Sequence, residues 1–199
     1  MFEVAEYIGT IAFAMSGFFV AVRSRLDFLG MLISVFLTAF GGGIIRDVIV
    51  DRTPFAFTYN TPALLVTVLM LILIFFKFHK RQNVENKAFF ILSDSIGLVS
   101  FSITGGLIAL ESGLNFTGVL ALSFITAVGG GITRDIIINE VPFVFKAGFY
   151  GTVALIIGAI LFILDIFDML GFYMTLAVFL FGVALRLIAH YKKWSVPLI

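Results

Sequence analysis

The sequence predicts an all-α polytopic membrane protein: seven transmembrane helices, arranged as an inverted 3+3 repeat plus one extra helix. Three observations carry this reading. Of 199 residues, 61% are hydrophobic and only 13% charged, too little polar surface for a soluble domain of this length. Seven apolar runs, each of roughly the 20 residues that cross a bilayer core, follow one another with short connections. Finally, the stretch GGGIIRD at 41–47 returns as GGGITRD at 129–135, inside a longer internal duplication.

The runs are read as helices because their apolarity is continuous, whereas barrel strands alternate polar and apolar at every second residue. The first covers 4–22 and begins almost at once; Glu3 and Glu6 stand where a cleavable signal peptide would carry basic residues. The second, 28–50, holds the first glycine triplet, and Pro54 in Pro-Phe-x-Phe turns the chain after it. The third is 61–80 and the fourth 89–110. The fifth, 116–139, holds the second triplet and is followed by a second Pro-Phe-x-Phe at Pro142. In both turns the Phe pair is expected at the interface, with no functional role. The sixth and seventh runs are 147–164 and 170–190, and Tyr191 and Trp194 beside Lys192 and Lys193 form an interfacial anchor. Arg186, about a turn from the end of the seventh run, is expected to snorkel to the interface.

Basic residues fall unevenly. Arg23, Arg25, Lys77, Lys80, Arg81, Lys87, Lys146, Lys192 and Lys193 share one side if seven helices cross alternately. The other side receives Glu3, Glu6, Glu111, Asp165 and Asp168, with Arg52 its lone basic loop residue. The positive-inside rule then puts the N-terminus outside and the C-terminus in the cytoplasm of a cell (inner) membrane protein.

Aligning residue 9 with 97 and running without a gap to 57 against 145 gives 22 identities in 49 positions. Each copy carries three runs, an odd number, so the second enters the membrane from the opposite side. The chain divides into 1–84, the first three-helix repeat, 85–168, the second and inverted one, and 169–199, the seventh helix and C-terminus. In inverted repeats the functional site lies near the midplane, where interrupted helices at matching positions meet. Here those are the second and fifth.

Each interior glycine costs a helix about 1 kcal/mol relative to alanine. Gly41, Gly42, Gly43 and Gly129, Gly130, Gly131 are therefore expected to break or bend their helices, freeing backbone groups that only protein or a wet cavity satisfies. The competing reading is close helix packing through small residues. Arg46 and Arg134 need partners, since a charge at the bilayer centre costs about 3 kcal/mol. Adjacent helix residues do not face each other, so Asp47 and Asp135 are not expected to neutralise them simply. Glu6 and Asp94, at matching depths in the first and fourth runs, are expected to pair with Arg46 and Arg134. Hydroxyls at Ser16, Thr38, Ser102, Thr104 and Thr126 line a wet path or satisfy their own helix carbonyls. Phe13, Phe40 and Phe101 near the glycines form an apolar constriction or plain packing.

Two three-helix repeats, a seventh helix and a GGGxxRD motif in the second helix of each repeat resemble the trimeric intracellular cation channels, in their prokaryotic branch. That branch is also catalogued under a glycine-transporter domain label. The resemblance covers nearly the whole chain. It implies a homotrimer in membrane lipid with a separate K⁺ or Na⁺ pathway in each protomer, lined by the helices that bend at the glycine motifs. Carried over, this puts the six glycines on the path, with Arg46, Asp47, Arg134 and Asp135 near it. The Lys-Glu-Val motif and cytoplasmic tail of animal members have no match here, so their regulation is not carried over.

The leading expectation is a monovalent-cation channel; the rival is a secondary transporter of a small zwitterion such as glycine. An enzyme is disfavoured. There is no cysteine, the two histidines (His79 and His190) lie at helix ends, and the triplets lack the Lys-Ser/Thr of a phosphate loop. No cofactor or metal is expected, and a net charge of +1 argues against nucleic acid.

Overall fold

A computed structural model describes residues 2–78, 84–146 and 148–194. His79, Lys80 and Arg81 lie outside them. Among the described residues all regular structure is helical: α1 (Phe2–Arg23), α2 (Phe28–Ile49), α3 (Phe55–Thr58), α4 (Asn60–Phe75), α5 (Val84–Glu111), α6 (Phe116–Ile137), α7 (Phe143–Lys146), α8 (Gly151–Ile166) and α9 (Phe172–Tyr191). The order long–long–short–medium in α1–α4 recurs in α5–α8, with α9 added.

Local chemistry sets the boundaries. Asp27 and Asn115, at matching positions, cap α2 and α6 by accepting from the Gly30 and Gly118 amides at 2.7 and 2.9 Å. At their C-termini, α1, α2, α5, α6, α8 and α9 close with a left-handed residue and a paired backbone lock. For α1 this is Arg25 at φ 54°, with Leu26 N–H to the Ala21 carbonyl at 3.0 Å and Arg25 N–H to Val22 at 3.2 Å. Only α5 uses glycine there, Gly113 at φ 68°.

Five helices (α1, α2, α5, α6 and α9) are long and apolar enough to span a membrane; α4 and α8, at 16 residues, are shorter. At 1.5 Å per residue those two reach about 24 Å, short of a hydrocarbon core of about 30 Å. Among the described residues the third run's helix ends at Phe75, before the turn at Lys77 (φ 59°), and the sixth starts only after Tyr150 and continues to Ile166. Helix α1 packs on α2 and α5, α6 packs on α2, α5 and α8, and α9 lies against α5 and α8.

Of the break or bend expected at the triplets, the break is absent: α2 and α6 run as uninterrupted helices through 41–43 and 129–131. Here the packing reading holds, because the two helices cross backbone to backbone. A Cβ on Gly42 would collide with the Thr126 carbonyl oxygen, and one on Gly130 would sit 2.6 Å from the Thr38 carbonyl oxygen. Contact this close replaces the stability that three glycines cost each helix.

Candidate functional site

The crossing is flanked by two clusters of buried charge, each spanning both copies. In the first, Arg46 is fully buried and each of its three guanidinium nitrogens donates a hydrogen bond. Nη1 and Nη2 donate to Glu6 at 2.7 and 3.2 Å, Nη1 also to Thr104 Oγ1 at 3.1 Å, and Nε to Asp47 at 2.8 Å. The Phe2 ring covers the cation at 5.1 Å. Glu6 has room because a Cβ on Gly43 would lie 3.3 Å from its Oε1, so the third glycine of the triplet seats a carboxylate.

The Glu6–Arg46 pair is as expected. The Arg46–Asp47 bond is not: adjacent residues on a helix point apart, but arginine is long enough for Nε to fold back on its neighbour. Asp47 has a second task, accepting from the Phe55 amide at 2.9 Å. That bond ties the start of α3 to α2, so the Pro-Phe-x-Phe turn is part of the cluster's frame. The second copy repeats it: Arg134 Nε reaches Asp135 at 2.8 Å, and Asp135 accepts from the Phe143 amide at 2.8 Å.

The second cluster departs at Asp94, which makes no salt bridge to Arg134 within 4.0 Å, although Arg134 is the foremost charge acting on it. Asp94 stands where the first copy has Glu6, one methylene shorter. Arg134 instead sends Nη1 toward Thr38 Oγ1 at 3.4 Å. Asp94 accepts from Ser16 Oγ at 3.1 Å and from the Tyr150 hydroxyl, with Arg134 and Arg186 both acting on it electrostatically.

Arg186 does not snorkel. It is 3% exposed, with its guanidinium 4.8 Å over the Tyr150 ring and Nε without a partner. Sequence reasoning missed Tyr150 and Arg186 as members of this cluster, although a charge inside an apolar helix was itself the signal.

Other candidates separate. Thr104 and Ser16 serve the clusters, whereas Ser102 and Thr126 bond their own helix carbonyls at 2.6 Å. Thr38 also bonds its own helix, at Ser34, while facing Arg134. Phe13 and Phe101 pack edge to face at 5.1 Å in the core, and Phe40 packs on Phe36 at 5.5 Å. Among the described residues no group of His, Asp and Glu could hold a metal ion.

A cavity of about 540 Å³ is lined by Arg23, Lys87, Phe90, Phe143 and His190 among others, and Phe143 packs on Tyr150 of the second cluster at 5.4 Å. Glu6, Gly43, Asp47 and Phe55 of the first cluster line a small space of about 10 Å³.

A family model described as "Glycine transporter" matches residues 3–80 and 91–165. The UPF0126 membrane protein YvgT of Bacillus subtilis is 34% identical over 98% of this chain and 95% of its own. The inner membrane protein YadS of Escherichia coli K12 is 32% identical over 78% and 74%. Among solved structures, a TRIC cation channel analysed for its conductance superposes with a TM-score of 0.86 at 33% identity, covering 100% of this chain and 97% of that one. A prokaryotic TRIC channel crystallised in 0.5 M KCl gives 0.89 at 28%, covering 98% of each. The chain belongs to the prokaryotic TRIC family. Like its TRIC relatives it is an integral membrane protein of α-helices, and those relatives are channels and membrane proteins rather than enzymes.

Proposed function

We propose that this TRIC protein is a monovalent-cation channel, passing K⁺ or Na⁺ along a path through each protomer beside the α2–α6 crossing. The likeness to solved cation channels over the whole chain carries the reading. The clusters support it electrostatically. Glu6, Asp47, Asp94 and Asp135 give four carboxylates against Arg46, Arg134 and Arg186, a formal excess of one negative charge close to the path. The polar wall is then made of side chains rather than of backbone released by broken helices. In this reading Gly41, Gly42, Gly129 and Gly130 bring the helices together, Gly43 and Gly131 leave room for the buried charges, and Ser16, Thr38 and Thr104 supply hydroxyls.

The same proposal takes 1–84 and 85–168 as inverted repeats, α4 and α8 as crossing with the five longer helices, and α9 as the seventh span. It puts the N-terminus outside and the C-terminus in the cytoplasm, so that the 540 Å³ cavity with Arg23, Lys87 and His190 faces the cytoplasm. The functional unit is a homotrimer in lipid, as in the trimeric channel from Rhodobacter sphaeroides, similar at 28% identity with a TM-score of 0.86 over 96% of this chain.

A carrier of a small zwitterion such as glycine is favoured by the family description alone. Purified protein in a planar bilayer under a KCl gradient separates the two. Unitary steps reversing near the K⁺ equilibrium potential support the channel; saturable glycine uptake into liposomes with no unitary current supports the carrier.

A further inference from the structure

Arg186 belongs to α9, the helix without a counterpart in either repeat, yet it lies in the second cluster. It is nine-tenths buried with an unpartnered Nε, which calls for an explanation. Its position supplies one. Asp94 lacks the ion pair that Glu6 has, and the group nearest to compensating it, besides Arg134, is the guanidinium over Tyr150, whose hydroxyl bonds the same carboxylate. Arg134 is already held by Asp135 at 2.8 Å, which leaves Arg186 as the cation without a carboxylate of its own.

The cluster also borders open space. Phe90 is one turn before Asp94 on α5, His190 one turn after Arg186 on α9, and the Phe143 ring is 5.4 Å from Tyr150; all three line the 540 Å³ cavity. A turn is about 5.4 Å. Asp94, Tyr150 and Arg186 therefore lie one layer behind the Phe90, Phe143 and His190 side of that cavity, without lining it themselves.

The geometry points to Arg186 as a charge-setting residue of the cavity. It cancels Asp94, so that the second cluster carries no formal net charge while the first carries one negative charge. An ion entering from the cavity side then passes the neutral cluster first, and one entering from the other side meets the negative one first. The asymmetry makes the conductance directional. This inference rests on the channel reading above and goes beyond it by naming the residue that sets rectification.

The test records R186Q, D94N and the D94N/R186Q double variant beside the wild type in planar bilayers with symmetric KCl. R186Q exposes the Asp94 charge and is expected to raise cation current entering from the cavity side by up to roughly twofold, the Boltzmann factor for one unit charge about 10 Å away in water before salt screening. D94N leaves Arg186 uncompensated and is expected to lower that current by a similar factor. The double variant is expected to move the current ratio back toward the wild type. Opposite signs for the two single variants are what a merely structural role does not produce, and D94N carries the test if R186Q fails to insert. Shifts of equal sign, or unchanged ratios in conducting variants, overturn the inference alone. A silent wild type overturns the channel reading and this inference with it.

Discussion

Arg46 and Glu6 form a fully buried two-pronged ion pair, Nη1 to Oε2 at 2.7 Å and Nη2 to Oε1 at 3.2 Å, between residues 40 apart in sequence. It joins α1 to α2 and sits directly over the third glycine of the first triplet. Glu6→Ala leaves Arg46 with Asp47 as its one carboxylate partner and takes the Glu6 acceptor from both Nη groups. A buried donor left unsatisfied costs about 1–3 kcal/mol, more for a charged group. Thermal unfolding in detergent, followed by the fraction remaining soluble and trimer-sized or monomer-sized on gel filtration, is expected to show a large drop in midpoint for Glu6→Ala.

The length of the acid is a second test on the same pair. Glu6→Asp gives the first cluster the short carboxylate of the second and is expected to lose the Arg46 contact. Asp94→Glu is expected to reach Arg134 and form the pair that the native chain lacks. A structure of each variant checks this, and the expected outcome is N–O distances under about 4 Å only where the acid is glutamate.

Gly42→Ala is expected to push α2 off α6. The added methyl meets the Thr126 carbonyl oxygen, which is backbone inside a helix and has no room to yield. Overpacking of this kind costs about 1–3 kcal/mol or more. Gly171→Ala is the matched control, since its Cβ meets nothing within 4 Å and its backbone is extended at φ −144°. The unfolding midpoint is expected to fall for the first and hold for the second.

Asp47→Asn tests the clamp on α3. One carboxylate oxygen takes Arg46 Nε and the other the Phe55 amide. An asparagine has one acceptor oxygen and must turn an amino group toward the other donor, at a cost of about 1–3 kcal/mol for a buried donor left unsatisfied. Amide hydrogen exchange is expected to rise at Phe55 while remaining slow in the middle of α2.

Outside the membrane-spanning segments, Glu140 ties two loops together. Its carboxylate accepts from Ser24 Oγ and Arg23 Nη2, both at 2.7 Å. The Ser24 hydrogen bond and the Arg23 charge hold its pKa below the ordinary value of 4.5, against a smaller opposing effect of burial. A depressed folded-state pKa stabilises above the unfolded value and is lost as pH falls through the folded one. The tether is therefore expected to be intact at neutral pH and to fail only below about 4.5. Unfolding midpoints between pH 5 and pH 3 are expected to fall less steeply for Glu140→Gln than for the wild type, and the difference to shrink in high salt.

Much of this molecule is legible in the chain before any coordinates. Run lengths locate the long helices within a few residues. Glu6 opposite Arg46 follows from equal depth. What was not legible has a common cause. On a helix apolar nearly all round, periodicity does not reveal which face is buried, so Arg186 reads as a residue at the interface rather than one turned inward. Three glycines have two physical outcomes, a break or a close crossing, and only the facing helix decides between them. Gly42 and Gly130 lie against Thr126 and Thr38, contacts between residues 84 and 92 apart. Tyr150 had no signal at all, since one tyrosine near a helix start is ordinary until Asp94 is found beside it.

At the α2–α6 crossing the two copies touch through bare main chain. Such a seam admits no fine adjustment: every residue type larger than glycine closes it off, and none smaller exists. Whatever distinguishes one half of this molecule from the other must therefore be written in the side chains that border the seam. A glutamate shortened to aspartate, and an arginine lent by the unpaired helix, are the forms that difference takes.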